Sequence, residues 1–302
     1  MSTTFRAAVV RIPGGPDSVD FLEAPVTAPG PGQVRVAVAA AAVNPVDLAL
    51  ADGVFHRLGL IGRDGPVGLG SDFAGVVAEA GSGVGLAVGT RVAGMVGGFD
   101  RDLGTYAQQL IVAAGDIAVV PAGFDLTTAA TVPLNGLTAA QLADLLGDGD
   151  GRTLLVTGAA GAVGGYLIPL ARARGWRVTG LARAEDEDFV RGLGADFTTA
   201  ATPGYDAVAD PAVLQEEALA LVRDGGRFLG VRPGQEPRPE RDITTGAVSV
   251  RPDGARLGEL LEAAADGRLP ARVHAVVPLA QAATAHREVA KGGVRGKFVL
   301  TP

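Results

Sequence analysis

The stretch VTGAAGAVGG, residues 156–165, sets glycines at 158, 161 and 164 between two different apolar patterns. Ahead of it, TLLVT (153–157) is a short run rich in β-branched residues, as a buried strand requires. Behind it, YLIPLARARG (166–175) is apolar on one side, basic towards its end and closed by Gly175, which predicts a helix. Pro169 inside that helix is expected to kink it or to cost stability. RVTGLA (177–182) then reads as a second buried strand. Strand, glycine turn, helix and strand form a βαβ unit. Such a turn lets backbone amides approach a pyrophosphate, and the helix N-terminus favours the anion. The spacing is G-x-x-G-x-x-G rather than G-x-G-x-x-G, and glycines alone would also fit a plain tight turn. The flanking strand and helix carry the dinucleotide reading.

The 302 residues suffice for two modest domains, and 47% hydrophobic with 20% charged residues is the composition of an ordinary globular protein. No apolar run approaches the roughly 18 residues of a membrane helix. The opening MSTTFRAAVVRIPGG lacks a basic segment followed by an apolar core, so no signal peptide is expected and a cytoplasmic location is. A net charge of −7 without a basic patch argues against nucleic acid. The absence of cysteine removes disulfides, thiol catalysis and Cys-ligated zinc together. His56, His274 and His286 are too scattered to suggest a metal site.

Outward from the glycine turn, the chain changes character twice. Up to about residue 120, FRAAVVRI, QVRVAVAAAAV, FAGVVAEAG, TRVAGMV and YAQQLIVAA are short β-like runs punctuated by Gly and Pro, predicting a small irregular barrel or sandwich. LTTAATVPLNGLTAAQLADLL is helix-like. After the βαβ unit come a helix near EDFVRGLG, a strand YDAVAD, a helix over PAVLQEEALALVRDGG, a strand RFLGV and a last strand in GAVSVRP (246–252). Alternating strands and helices imply a parallel, doubly wound sheet. DGARLGELLEAAADGRL (253–269) has helical spacing, and the tail carries a strand, a helix and a final strand assigned to the first domain. The expected division is 1–125 and 253–302 for the β-rich domain and 126–252 for the nucleotide domain.

AAVNPVDLALADG (41–53), GSDFAGVVAEAGSGV (70–84), GTYAQQLIV (104–112), PLNGLTAAQ (133–141), VTGAAGAVGG, LGAD (193–196), RDGGRFLGV (223–231) and VRGKFVL (294–300) together resemble the medium-chain dehydrogenase/reductase superfamily. More narrowly they resemble its zinc-free quinone oxidoreductase branch. The resemblance implies an α/β protein: a β-rich GroES-like catalytic domain plus a Rossmann domain with a doubly wound parallel sheet. It also implies NADPH-dependent reduction of a quinone or an activated C=C (an enone), and a homodimer formed through the GAVSV edge. An enoyl-thioester reductase and a non-catalytic NADPH-binding redox sensor or structural protein are the alternatives. Where zinc-dependent relatives carry Gly-His-Glu, this chain reads Gly70-Ser71-Asp72, and the ligand chemistry excludes a zinc alcohol dehydrogenase. Ala162 replaces a glycine usual in the branch, and Phe55 stands where a tyrosine is common.

Within that frame, Asn44 and Asp47 of NPVD are the candidate catalytic residues, with the Asn44 amide expected to donate to the acceptor's oxygen; the rival reading is turn chemistry. Gly158, Gly161, Ala162, Val163 and Gly164 would wrap the pyrophosphate. Arg183, at a strand tip that lacks an acid, suits a 2′-phosphate, hence NADPH. Thr138 would hydrogen-bond near the nicotinamide or cap its helix. Ala209, Asp210, Gly230 and Val231 end strands where doubly wound sheets bind ligands. Asn44 and Lys297 are further cofactor candidates, although a surface position also suits the lysine. His56 is a loop histidine near the expected site.

Overall fold

The computed structural model describes residues 3–302. The chain divides into two compact units. One takes the chain up to Leu134 together with Pro252–Asp266 and Ala271–Pro302; the other takes Asn135–Arg251 and Gly267–Pro270. No helix among the described residues is long and apolar enough to cross a membrane.

The second unit is built on a six-stranded, all-parallel sheet. Its order is Asp196–Thr198, Arg177–Leu181, Thr153–Thr157, Tyr205–Asp210, Val222–Gly230, Thr244–Ala247. Counting strands along the chain, this is the 3-2-1-4-5-6 order of a dinucleotide-binding sheet. Leu154, Leu155 and Val156 in the central strand are fully buried, as a strand covered on both faces must be. The helix after the glycine turn runs Ala162–Ala173 and continues through Pro169, which therefore costs a backbone hydrogen bond without ending the helix.

Two expectations here are corrected. PAVLQEEALALVRDGG is helical only at Glu216–Leu219. The amides that would start a longer helix are captured by side chains: Ala212 N donates to Thr157 Oγ1 at 3.1 Å and Gln215 N to Asp210 Oδ2 at 2.8 Å. Val213 and Gln215 are thereby held at φ +59° and +56°, outside helical space, and the following strand already begins at Val222. The last strand is Thr244–Ala247 rather than 246–252, because its partner ends at Gly230, which pairs with Ala247.

The first unit holds a seven-stranded sheet and a three-stranded one. In the larger sheet, Lys297–Thr301 pairs parallel with Val273–Pro278 and antiparallel with Gln33–Ala42, matching Val299 to Ala42 and Leu300 to Ala41. Asp72–Ala80 lies on the other side of Gln33–Ala42. Residues near 42, 72 and 297, remote in sequence, therefore reach one end of one sheet. Helix Gly254–Ala265 also belongs to this unit, capped by the Asp253 carboxylate accepting from Arg256 N at 2.9 Å.

Gly164 is the most constrained glycine of the turn: a Cβ there would lie 2.4 Å from Gly158 O and 2.9 Å from Ala159 Cα, both backbone atoms. Gly164→Ala is expected to lower stability by about 1–3 kcal/mol, although alanine normally stabilises a helix by about 1 kcal/mol relative to glycine. Urea unfolding checks this; an unchanged or raised midpoint would contradict the packing.

Candidate active site

Asn44 ends the strand side of a sharp turn with extended backbone (φ −123°, ψ 153°), and Pro45 opens helix Pro45–Ala51. Asp47, in that helix's first turn, reaches back to accept from Asn44 N at 2.8 Å. Asp47 also accepts from Tyr106 OH at 3.1 Å and Ser71 Oγ at 3.1 Å. The Asp and Asn of NPVD do perform turn chemistry, but in full burial and with partners from distant segments.

A second chain of bonds crosses at Asn44. Its Nδ2 donates to Asp72 Oδ2 at 3.0 Å and to Ala42 O at 3.3 Å, while its Oδ1 accepts from Lys297 Nζ at 2.5 Å. Asp72 Oδ1 accepts from Leu134 N at 2.7 Å. An ammonium only donates and a carboxylate accepts, so the amide's orientation is fixed by its neighbours. The loop carrying Ser71 is held by Arg101, whose guanidinium donates to the carbonyls of Gly70 at 2.5 Å, Gly98 at 2.7 Å and Val96 at 3.1 Å. His286 Nε2 lies 3.3 Å from Tyr106 OH.

Burial dominates the electrostatics. It raises Asp72 to about 7, against the opposing pull of the Lys297 charge and the bonds from Asn44 and Leu134. Burial likewise lowers Lys297 to about 8, opposed by Asp72 and Asp47. It raises the Tyr106 phenol well above its usual range, with Asp47 adding to the effect, and lowers His286.

Several sequence candidates find different surroundings from those expected. Lys297 is buried, not a surface lysine. Both Asn44 amide hydrogens are already engaged within the protein. His56, half-buried on the short helix Val54–Arg57, shares no hydrogen bond with the cluster, and Phe55 stacks on Phe99 with ring centroids 3.7 Å apart. Ser71, Asp72, Arg101, Tyr106 and His286 carry roles that sequence reasoning did not assign. Asp72 had a signal: an acid beside Ser71 that opens the apolar run 73–78, which burial would force into partnership.

In the other unit, the glycine turn is formed as a dinucleotide needs. Gly158 has φ +56°, Gly161 N donates to Gly158 O at 2.8 Å, and the helix starts at Ala162, with Val163 following. Its first-turn N–H groups lie beyond any intrahelical acceptor. Buried Gly164 lets helix and turn approach, so this backbone fits a pyrophosphate. Arg183 follows strand Arg177–Leu181 and is 62% exposed, in loose contact with Glu185 at 4.0 Å. Thr138 is buried inside helix Pro133–Leu146, not at its cap. Ala209 and Gly230 are buried at strand ends and Val231 is half-buried. Asp210 is buried and accepts from Thr157 Oγ1 at 2.5 Å as well as from Gln215 N, which makes it a brace for the loop after its strand.

Residues 30–122 match the alcohol dehydrogenase GroES-like domain family, and residues 184–300 match the zinc-binding dehydrogenase family. A quinone oxidoreductase of Pseudomonas aeruginosa is 31% identical over 96% of this chain and 97% of its own. The structure of the quinone oxidoreductase from Coxiella burnetii superposes with a TM-score of 0.88 at 25% identity, covering 99% of both chains. Polyketide synthase GfsB of Streptomyces halstedii is 32% identical over 99% of this chain, which spans 6% of that protein; two further polyketide synthases are spanned to 8% and 9%. The chain belongs to the medium-chain dehydrogenase/reductase superfamily, among its quinone-oxidoreductase-like members.

The buried acid generates a pH prediction. Unfolded, Asp72 releases its proton near 3.8; folded, it retains it to about 7. Between those values the folded state binds more protons, so this residue makes stability fall as pH rises. Asp72→Asn should remove that contribution, so the difference between variant and wild-type urea midpoints should grow in the variant's favour from pH 4 to 7. Parallel curves would contradict it.

Proposed function

We propose that the protein is a zinc-independent reductase that uses NADPH to reduce a quinone or an activated C=C such as an enone. The observation that carries this is the full-length likeness to a quinone oxidoreductase in a chain whose counterpart of the zinc site is otherwise occupied. The dinucleotide turn supplies the cofactor site, with Gly158, Gly161, Ala162, Val163 and Gly164 backbone at the pyrophosphate. Arg183 supplies a guanidinium for a 2′-phosphate, since its sole described partner is a distant, exposed Glu185. Thr138, Ala209, Gly230 and Val231 line that cofactor's path in this reading. When bound, the reduced nicotinamide supplies hydride.

Ser71 and Asp72 occupy the stretch where zinc-dependent relatives place a ligand pair. Here Ser71 donates to Asp47, and Asp72 accepts from Asn44 and Leu134. With their oxygens bound this way and no cysteine in the chain, the donor set suits a hydrogen-bonded network rather than a Lewis acid. This favours acceptors that need little polarisation. An enoyl thioester is a second reading, favoured by the match to a short stretch of polyketide synthases. The edge strand Thr244–Ala247 is the surface through which two copies would pair as a homodimer.

Arg183→Ala should weaken NADPH binding by about 1.5–3 kcal/mol, the value of a hydrogen bond to a charged group, and leave NADH binding nearly unchanged. Titration with both cofactors decides this; equal weakening would remove the NADPH assignment. Elemental analysis should find no stoichiometric zinc, and a chelator should leave NADPH-dependent reduction of a quinone and enone panel intact. Loss of activity restored by zinc would overturn the metal-free reading.

A further inference from the structure

We propose that Lys297 is the catalytic residue that binds the acceptor's oxygen and protonates the reduced product, with Asn44 acting as its positioning residue. The inference rests on the reductase reading above.

The hydrogen-bond inventory leads there. An acceptor's carbonyl needs a donor, and Asn44 is the obvious one by sequence. Its two amide hydrogens, however, go to Asp72 and Ala42 O, and the residue is 1% exposed. Asp72 and Asp47 are acceptors when ionised, and Tyr106 spends its hydroxyl proton on Asp47. Lys297 remains. Its ammonium carries three hydrogens, and Asn44 Oδ1 is its one described hydrogen-bond acceptor. At 6% exposure it is also the least enclosed of Asn44, Asp47, Asp72, Tyr106, His286 and itself. A buried ammonium with unspent hydrogens calls for an electron-rich oxygen. The Leu134 amide fixes Asp72, Asp72 orients the Asn44 amide, and the Asn44 carbonyl aims the ammonium, so the donor is held in place before substrate arrives.

In an enone the C=C is conjugated with the carbonyl whose oxygen Lys297 binds. The substrate's β-carbon accepts a hydride, with its electron pair, from the reduced nicotinamide. The C=C electron pair shifts to give an enolate, whose oxygen is held by the Lys297 ammonium. The proton then leaves Nζ for the enolate oxygen, the enol gives up that O–H proton to water as the α-carbon takes one from water, and the neutral amine is reprotonated by water. The alkene is reduced by the two electrons that a bound reduced nicotinamide would supply with the hydride. Burial, which lowers Lys297 to about 8 against the facing carboxylates of Asp72 and Asp47, makes the ammonium a competent acid near neutral pH.

The test combines binding and turnover. p-Nitrophenol, whose phenolate mimics an enolate oxygen and is coloured, is titrated into wild-type protein, Lys297→Met, and Lys297→Met/Asp72→Asn, with melting temperature measured on each. The double variant removes the Lys297 and Asp72 charges together, leaving Asp47 with its bonds from Tyr106, Ser71 and Asn44 N, and so guards against loss of fold. Wild type should bind the ligand as phenolate, and both folded variants should lose that binding. Turnover with NADPH and an enone should fall by roughly 10²–10⁴-fold, the usual effect of a general acid, while NADPH affinity stays close to wild type. Wild-type kcat should decline above about pH 8, as Lys297 loses its proton. Wild-type protein that binds only the neutral phenol, or a folded variant with wild-type turnover, overturns the proposal. Wild-type protein that binds phenolate through Lys297 but reduces no quinone or enone refutes the reductase reading instead.

Discussion

The bond from the Lys297 ammonium to the Asn44 side-chain carbonyl, 2.5 Å long and out of water, is the constraint on which the first unit depends. An ammonium is costly to bury unless opposite charge and hydrogen bonds surround it. Here Asp47, and Asp72 once it ionises near pH 7, supply the charge, and the Asn44 amide relays between lysine and Asp72. The arrangement also fixes the register of the C-terminal strand. Val299 opposite Ala42 sets Lys297 beside the Asn44 turn, and a slip of one residue would send the lysine to the other face of the sheet. The C-terminal segment must therefore return to the N-terminal sheet, although the nucleotide unit intervenes in the chain.

The nucleotide unit has its own brace. Thr157, at the end of the central strand, donates to Asp210 and accepts from Ala212 N. This pins a loop with Val213 and Gln215 at positive φ against the glycine turn, where a Cβ on Gly158 would come within 3.1 Å of Ala212 Cβ. For a β-branched valine that conformation is strained. The strain is stored where a doubly wound sheet binds its ligand, and the two side-chain bonds hold it there.

The βαβ unit was legible because its signals are local: a β-branched run, glycines at a turn, an apolar helical face. That the sheet would be parallel and doubly wound followed from alternation, but its strand order and its edge strand Asp196–Thr198 did not. The loop after Asp210 was not legible, because QEEALALV has helical spacing and only distant Thr157 and Asp210 withdraw the amides that would begin a helix. At the site, NPVD and the lysine that opens the last strand were readable as candidates. Their pairing was not, since Asn44 and Lys297 are joined by sheet register rather than by sequence spacing. Burial reversed the plain reading of Lys297 as a surface residue, and it gives Asp72 its role because an acid inside the sheet has to be hydrogen-bonded.

The central claim is hydride transfer from a bound nicotinamide to an electron-poor acceptor without zinc. It is tested most directly by incubating the metal-free protein with an enone and NADPH deuterated on the transferring face of nicotinamide C4, followed by mass spectrometry and NMR of the product. The account predicts one deuterium per product molecule at the β-carbon and a solvent-derived proton at the α-carbon. Reduced product without the label, or no reduction of any quinone or enone unless zinc is added, would contradict it.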